Sequence, residues 1–135
     1  PIEHDLYGVP EWPRFKYDRP EGIIEIPIPT LRKNNANTGI GGGGYFRLYP
    51  YRLSKKRIQR FMNEEPHPYN FYFHPWEIDP DQPRIEGASL LSKFRHYINL
   101  SRMETKIVKL LKDYKWQTIS RTYDIVKEQS EGMRD

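Results

Sequence analysis

The sequence predicts an α/β domain with long loops and a C-terminal amphipathic helix, and three observations carry that prediction. A β-branched segment, Gly22-Ile23-Ile24-Glu25-Ile26-Pro27-Ile28, and an aromatic one, Tyr69 to His74, read as buried strands. A long loop and a helix lie between them, the order of a right-handed parallel crossover. Met103, Ile107, Leu110, Leu111 and Tyr114 form the strongest helical stripe of the chain. Six Phe, ten Tyr and three Trp supply an aromatic core to a chain only 36% apolar, while 12 Pro and 9 Gly point to extensive loops around it.

The 135 residues suit one compact core. Pro1, Pro10, Pro13 and Pro20 break the opening, and Tyr7, Trp12, Phe15 and Tyr17 serve there as aromatic anchors. Such a segment has no strand or helix of its own to dock on, so preceding residues are expected to support it. After the first predicted strand the apolar periodicity vanishes from Thr30 to Gly44, giving a long loop that ends at Tyr45-Phe46-Arg47-Leu48. Its run Gly41-Gly42-Gly43-Gly44 permits left-handed bends and close backbone approach.

Ser54 reads as the cap of a helix whose Ile58, Phe61 and Met62 share a face, with Lys55, Lys56, Arg57 and Arg60 opposite and Pro66 as its limit. Leu90, Leu91, Phe94, Tyr97 and Ile98 predict another helix. Ser101-Arg102-Met103-Glu104 has the spacing of a capping box for the last long one. Trp116 to Ile119 reads as a short strand, and Tyr123 to Lys127 as a last helical turn before a charged tail through Asp135.

Without cysteine, disulfide frameworks, thiolate zinc sites and thiol catalysis are excluded. No apolar run approaches the roughly 20 residues of a membrane span, and Pro1 to Asp5 have neither the basic nor the apolar region of a signal peptide. A cytoplasmic or a periplasmic location fits equally. The net charge of +4 is dispersed among acids, so no nucleic-acid partner is expected.

His74 is the leading candidate for chemistry. It ends the aromatic strand, where loops diverge from an α/β sheet, and an imidazole donates protons near neutral pH to an amine or alcohol leaving group. The plain alternative is a strand-end histidine bonded to a loop carbonyl. Glu77 and Asp79 either orient His74 or are simply solvated. His4, His67, His74 and His96 lack metal-ligand spacing, His67 reading as a loop residue and His96 as a helix-surface one. Tyr45, Tyr72 and Trp76 offer flat faces for sugar rings or for core packing. No Gly-Lys-Ser/Thr follows the glycine run, which argues against nucleotide phosphates.

Three stretches together resemble a known family: Gly41 to Tyr51 (GGGGYFRLYPY), Phe71 to Arg84 (FYFHPWEIDPDQPR) and Phe94 to Leu100 (FRHYINL). With His4-Asp5, Tyr7-Gly8, Pro10 and Pro13-Arg14-Phe15, they resemble the C-terminal part of polysaccharide deacetylases of the NodB-homology group, carbohydrate esterase family four, of the kind encoded in exopolysaccharide and exosortase loci. The resemblance implies the C-terminal portion of a distorted (β/α)7 barrel over residues 1–115, followed by an extension, 116–135, that is partly frayed. It implies hydrolysis of the acetamide of N-acetylhexosamine units in a polysaccharide, with a divalent metal, commonly zinc, in the complete enzyme.

In that family a metal-bound water, deprotonated by an Asp, attacks the carbonyl, and a histidine of the last motif protonates the departing amine. His74 holds that motif position. Tyr45, Arg47, Tyr72 and Trp76 are the expected substrate-binding residues, Tyr72 standing where the family often has Leu. The motifs carrying the base and the metal ligands are absent from this sequence, so no metal is expected on this chain alone, and the chain is expected to be inactive by itself. Its partners would be the polysaccharide and the missing N-terminal half of the barrel, or a partner chain. Exposed sheet edges and helix faces would then drive self-association or dependence on that partner. The rival reading is a non-catalytic carbohydrate-binding or protein-interaction module, with a single-strand nucleic-acid binder third.

Overall fold

In the computed structural model the described residues are 11–33, 36–84, 86, 87 and 89–125; the expectations for the opening ten residues and for the tail beyond Ile125 lie outside them. Strands are short. β1 (Tyr17–Asp18) pairs antiparallel with β2 (Ile24–Glu25). The intervening turn places Gly22 at φ +78°, a left-handed conformation that suits glycine. β3 (Thr30–Lys33) pairs antiparallel with β4 (Ala36–Gly39), Thr30 facing Gly39 and Lys33 facing Ala36.

This corrects two expectations. The stretch from Thr30, expected to be a loop, holds a hairpin. The isoleucine segment contributes only Ile24–Glu25 to a ladder, and Ile23, Ile24 and Ile28 are exposed rather than buried. Pro27 and Pro29 explain the short ladder, since a proline has no N–H to extend it.

Helices α1 (Gly43–Leu48), α2 (Tyr51–Glu64), α3 (Leu90–Tyr97), α4 (Leu100–Asp113) and α5 (Ile119–Thr122) follow, with a 3-10 turn at Pro75–Ile78. α2 starts before Ser54, behind Pro50, whose fixed φ suits an N-terminus; Ser54 is buried inside it. α4 likewise begins before Ser101, so the expected capping box does not form, and Asn99, at φ +55°, makes the corner between α3 and α4. Trp116 to Ile119 forms no strand; Thr118 caps α5 by accepting from the Arg121 N–H.

The principal core joins Phe46 of α1, Ile58 of α2, and Met103 and Leu110 of α4, with Tyr51, Tyr69, Phe71, Ile107 and Tyr114 packed around them. A second cluster, Leu31, Ile40 and Phe61, lies under the hairpin with Phe15 against it. The pairs Phe46–Phe71 and Phe61–Tyr69 meet edge to face, the favoured aromatic geometry. Polar ties close the seams. Arg14 donates to the Glu65 carboxylate at 2.8 Å and to Thr30 O at 2.6 Å, joining the opening segment to α2 and β3. Asp113 accepts from Tyr51 at 2.7 Å and pairs with Lys55 at 2.8 Å; these partners, Lys55 first, hold its carboxyl below the usual range.

Mixed α/β composition is therefore present, but no closed barrel forms among the described residues. One trace of parallel pairing survives, a bridge between Gly42 and Tyr72. The α3 stripe does not turn into a core: Leu90, Leu91 and Phe94 are 87%, 58% and 56% exposed. Among the described residues no helix is long and apolar enough to cross a membrane.

Candidate functional site

The glycine run and the aromatic segment meet first through their backbones. Tyr72 N–H donates to Gly41 O at 2.9 Å, and Gly43 N–H donates to Tyr72 O at 3.0 Å. Close approach, not left-handed bending, is what these glycines supply, because none of the four has positive φ. A Cβ on Gly43 would lie 2.6 Å from Glu77 Cδ, whereas one on Gly44 would meet nothing within 4 Å. Gly43→Ala is thus expected to cost at least about 1–3 kcal/mol by overpacking against a buried carboxylate. Gly44→Ala, as a helix residue in open space, should be neutral or slightly stabilising. Urea melts of the two variants check this, and equal effects would contradict it.

Just past the bridge, His74 takes the N-cap position of the 3-10 turn, and Pro75 begins it. The carboxylate of Glu77 reaches back to accept the His74 backbone N–H at 2.8 Å. Its other oxygen accepts from Arg47 Nε at 2.9 Å, and both side chains are only 2% exposed. Arg47 also donates to the carbonyls of His96 (2.6 Å), Ile98 (3.2 Å) and Arg95 (3.3 Å), satisfying the end of α3 where a cation complements the helix dipole. Asn99 then donates to Arg47 O at 2.9 Å, and Lys106 Nζ donates to the carbonyls of Phe46, Arg47 and Tyr49 at the end of α1. Burial, with Arg102 and Arg47 nearby, pulls the Lys106 ammonium below its usual value.

An aromatic layer lies over this polar brace. Trp76 is parallel to the His96 imidazole at 4.1 Å and to that of His74 at 5.7 Å, with the Arg47 guanidinium 5.0 Å over the indole. Gln82 locks the layer: its amide donates to Trp76 O and Asp79 O, so its oxygen faces His96 Nε2 at 2.9 Å and that nitrogen carries the proton. The Tyr72 ring meets His74 edge-on, its hydroxyl 3.4 Å from Nε2, a weak contact. His74 is exposed, as is Tyr72 at 45%.

Of the residues singled out in the sequence, His74, Tyr72 and Trp76 come together on this turn. Arg47 lies beneath it, buried and bonded to the protein itself, rather than on a surface. Tyr45 sits elsewhere, against Gly39 and parallel to Tyr49 at 6.4 Å. His67 lies in a loop, stacked on Phe15 at 3.7 Å. Asp79 caps its own turn by accepting from the Asp81 N–H. The sequence reading did not single out Gln82, Asn99 or Lys106 and left Glu77 ambiguous. The spacing His-Pro-Trp-Glu, with a carboxylate three residues after an N-cap, was the available signal for Glu77.

Chemically, the arrangement presents a solvent-accessible imidazole on a braced turn, flanked by flat aromatic faces. Among the described residues no three His, Asp or Glu side chains converge to hold a metal, so this set does not fit one. The fold and site define a small mixed α/β domain organised around a buried arginine–glutamate brace. Over residues 1–124 the chain matches the family described as a domain of unknown function, DUF3473, and it belongs to that family. No curated protein and no solved structure matches it.

Proposed function

We propose that this chain is the acid-bearing part of a metal-dependent polysaccharide N-deacetylase of the carbohydrate esterase family four type, acting on N-acetylhexosamine units during exopolysaccharide synthesis. The observation that carries the reading is His74, an exposed imidazole on a turn that the buried Glu77–Arg47 pair fixes, within stretches that resemble that family's last motif. In its protonated form His74 hands a proton to the departing amine as the acetamide C–N bond breaks. Glu77 holds the turn through the His74 backbone rather than through the imidazole. Trp76, itself stacked with His96 and His74, backs the imidazole, and the exposed Tyr72 ring supplies a flat face beside it for a sugar ring, whose C–H surfaces are apolar. For the metal that the family implies no ligand set is found among the described residues, and this reading takes its ligands from outside them.

The test is acetate release from an N-acetylhexosamine oligomer with added zinc, comparing this chain alone with the chain joined to whatever its gene encodes ahead of Pro1. Release only by the longer polypeptide is expected. Metal-dependent release by this chain alone would overturn the division of labour. No release by either would favour the second reading, a non-catalytic carbohydrate-binding or interaction module, to which the exposed rings of Tyr72 and Tyr45 are equally suited.

A further inference from the structure

The segment that ends at His74 carries a second proton-handling group two residues earlier. Extended backbone puts alternate side chains on one face, and Tyr72 and His74 share one. Both residues are exposed. The Tyr72 backbone is pinned at both of its polar groups, donating to Gly41 O at 2.9 Å and accepting from the Gly43 N–H at 3.0 Å. Its ring lies beside Gly42, where a Cβ would already touch it at 3.4 Å. His74 is fixed at its own N–H by Glu77, and its imidazole lies parallel to the Trp76 indole.

Held in this way, the two rings meet edge-on, 5.2 Å apart at 85°, with the Tyr72 hydroxyl oxygen 3.4 Å from Nε2. With a neutral imidazole this contact is weak. A protonated imidazole changes it, because both ring nitrogens are then donors and the phenol oxygen is an acceptor within reach of Nε2–H. A charge-assisted bond is shorter and stronger than a neutral one, and contacts of catalytic groups tighten when the reacting state forms. The charged groups of the turn are engaged elsewhere: Glu77 binds the His74 backbone and Arg47, and Arg47 lies over Trp76.

We propose that Tyr72 and His74 act as one proton-donating pair in which the Tyr72 hydroxyl is the outer donor. As the C–N bond breaks, its electron pair stays on nitrogen, the amine takes the Tyr72 O–H proton, and the same oxygen takes the Nε2 proton of the imidazolium. The phenol ends as a phenol, the imidazole ends neutral and the amine has gained one proton, so the step needs no further reactant. This assignment rests on the deacetylase reading, and it gives Tyr72 a chemical role that a leucine in its place could not fill.

Tyr72→Phe tests it, since that variant keeps the ring and its edge contact and removes only the oxygen. In the chain joined to whatever its gene encodes ahead of Pro1, acetate release from an N-acetylhexosamine oligomer at saturating zinc should show kcat at least about tenfold lower with KM within about twofold, the pattern of a group used only in the transition state. Tyr72→Phe combined with His74→Ala should fall within about threefold of His74→Ala alone, because members of one unit are not additive. A second readout needs neither zinc nor activity: in ¹⁵N NMR of this chain in acid, where the imidazole is protonated, Tyr72→Phe should move the His74 Nε2 resonance more than the Nδ1 one. If the native protein releases no acetate, the deacetylase reading fails and the NMR comparison alone decides whether the pair stands. Circular dichroism melts establish that each variant is folded. A near-native rate for Tyr72→Phe, a double variant slower than His74→Ala by the full Tyr72→Phe factor, or an unmoved Nε2 resonance would overturn the proposal.

Discussion

Glu77→Ala is expected to lower the stability of the fold by about 3–5 kcal/mol, because it leaves the Arg47 guanidinium buried without its counter-charge. Both side chains are 2% exposed, so water cannot take over the lost role. The same substitution frees the His74 N–H and removes the carboxylate against which Gly43 packs. For a domain of this size, whose whole stability is about 5–15 kcal/mol, that is a large fraction of the total.

The double replacement Arg47→Met with Glu77→Leu separates pairing from packing. It should recover part of the loss, since a buried ion pair often exchanges for apolar volume at little net cost. Recovery should be incomplete, because the carbonyls of Arg95, His96 and Ile98 lose their donor. Equilibrium urea unfolding of the two single variants and the double one measures the coupling. A loss below about 1 kcal/mol for Glu77→Ala would mean that the brace is not what holds the turn.

Residue patterns explain which parts of this structure were legible in the sequence. α2 and α4 were readable because Ile58 and Phe61, and Met103, Ile107 and Leu110, recur at helical spacing and do face the core. Their boundaries were not, since Pro50 and Asn99 start these helices by backbone conformation rather than by a hydroxyl cap. The β3–β4 hairpin escaped notice because Ala36-Asn37-Thr38-Gly39 has almost no apolar alternation; its order comes from pairing and from Leu31 and Ile40 beneath it. The isoleucine segment misled for the opposite reason, having strand composition but only a two-residue pairing, Ile24–Glu25 against Tyr17–Asp18.

At the site, the position of His74 at the end of an aromatic segment was legible, and so was the neighbourhood of Tyr72 and Trp76. Arg47 was visible as a motif residue, but nothing local shows that it lies beneath the turn rather than on it. That follows only from folding Gly43 against Glu77 and α3 against both. Long-range polar ties of this kind, 30 residues apart for Arg47 and Glu77, leave no periodic trace in a sequence.

The central claim is that His74 acts as the proton donor, and His74→Ala tests it most directly. General acid catalysis by a positioned side chain contributes about 10²–10⁴-fold, so acetate release by the chain joined to whatever its gene encodes ahead of Pro1 should fall by that factor. Stability should hardly change, because the imidazole is exposed and the turn depends on the His74 backbone and the Glu77 carboxylate. The measurement is therefore acetate release from an N-acetylhexosamine oligomer with saturating zinc, native against His74→Ala, with thermal melts of both. A rate loss of about two to four orders of magnitude at an unchanged melting temperature is the predicted result. An active variant with a rate close to the native one would contradict the assignment of His74 and, with it, the proposed role of this domain.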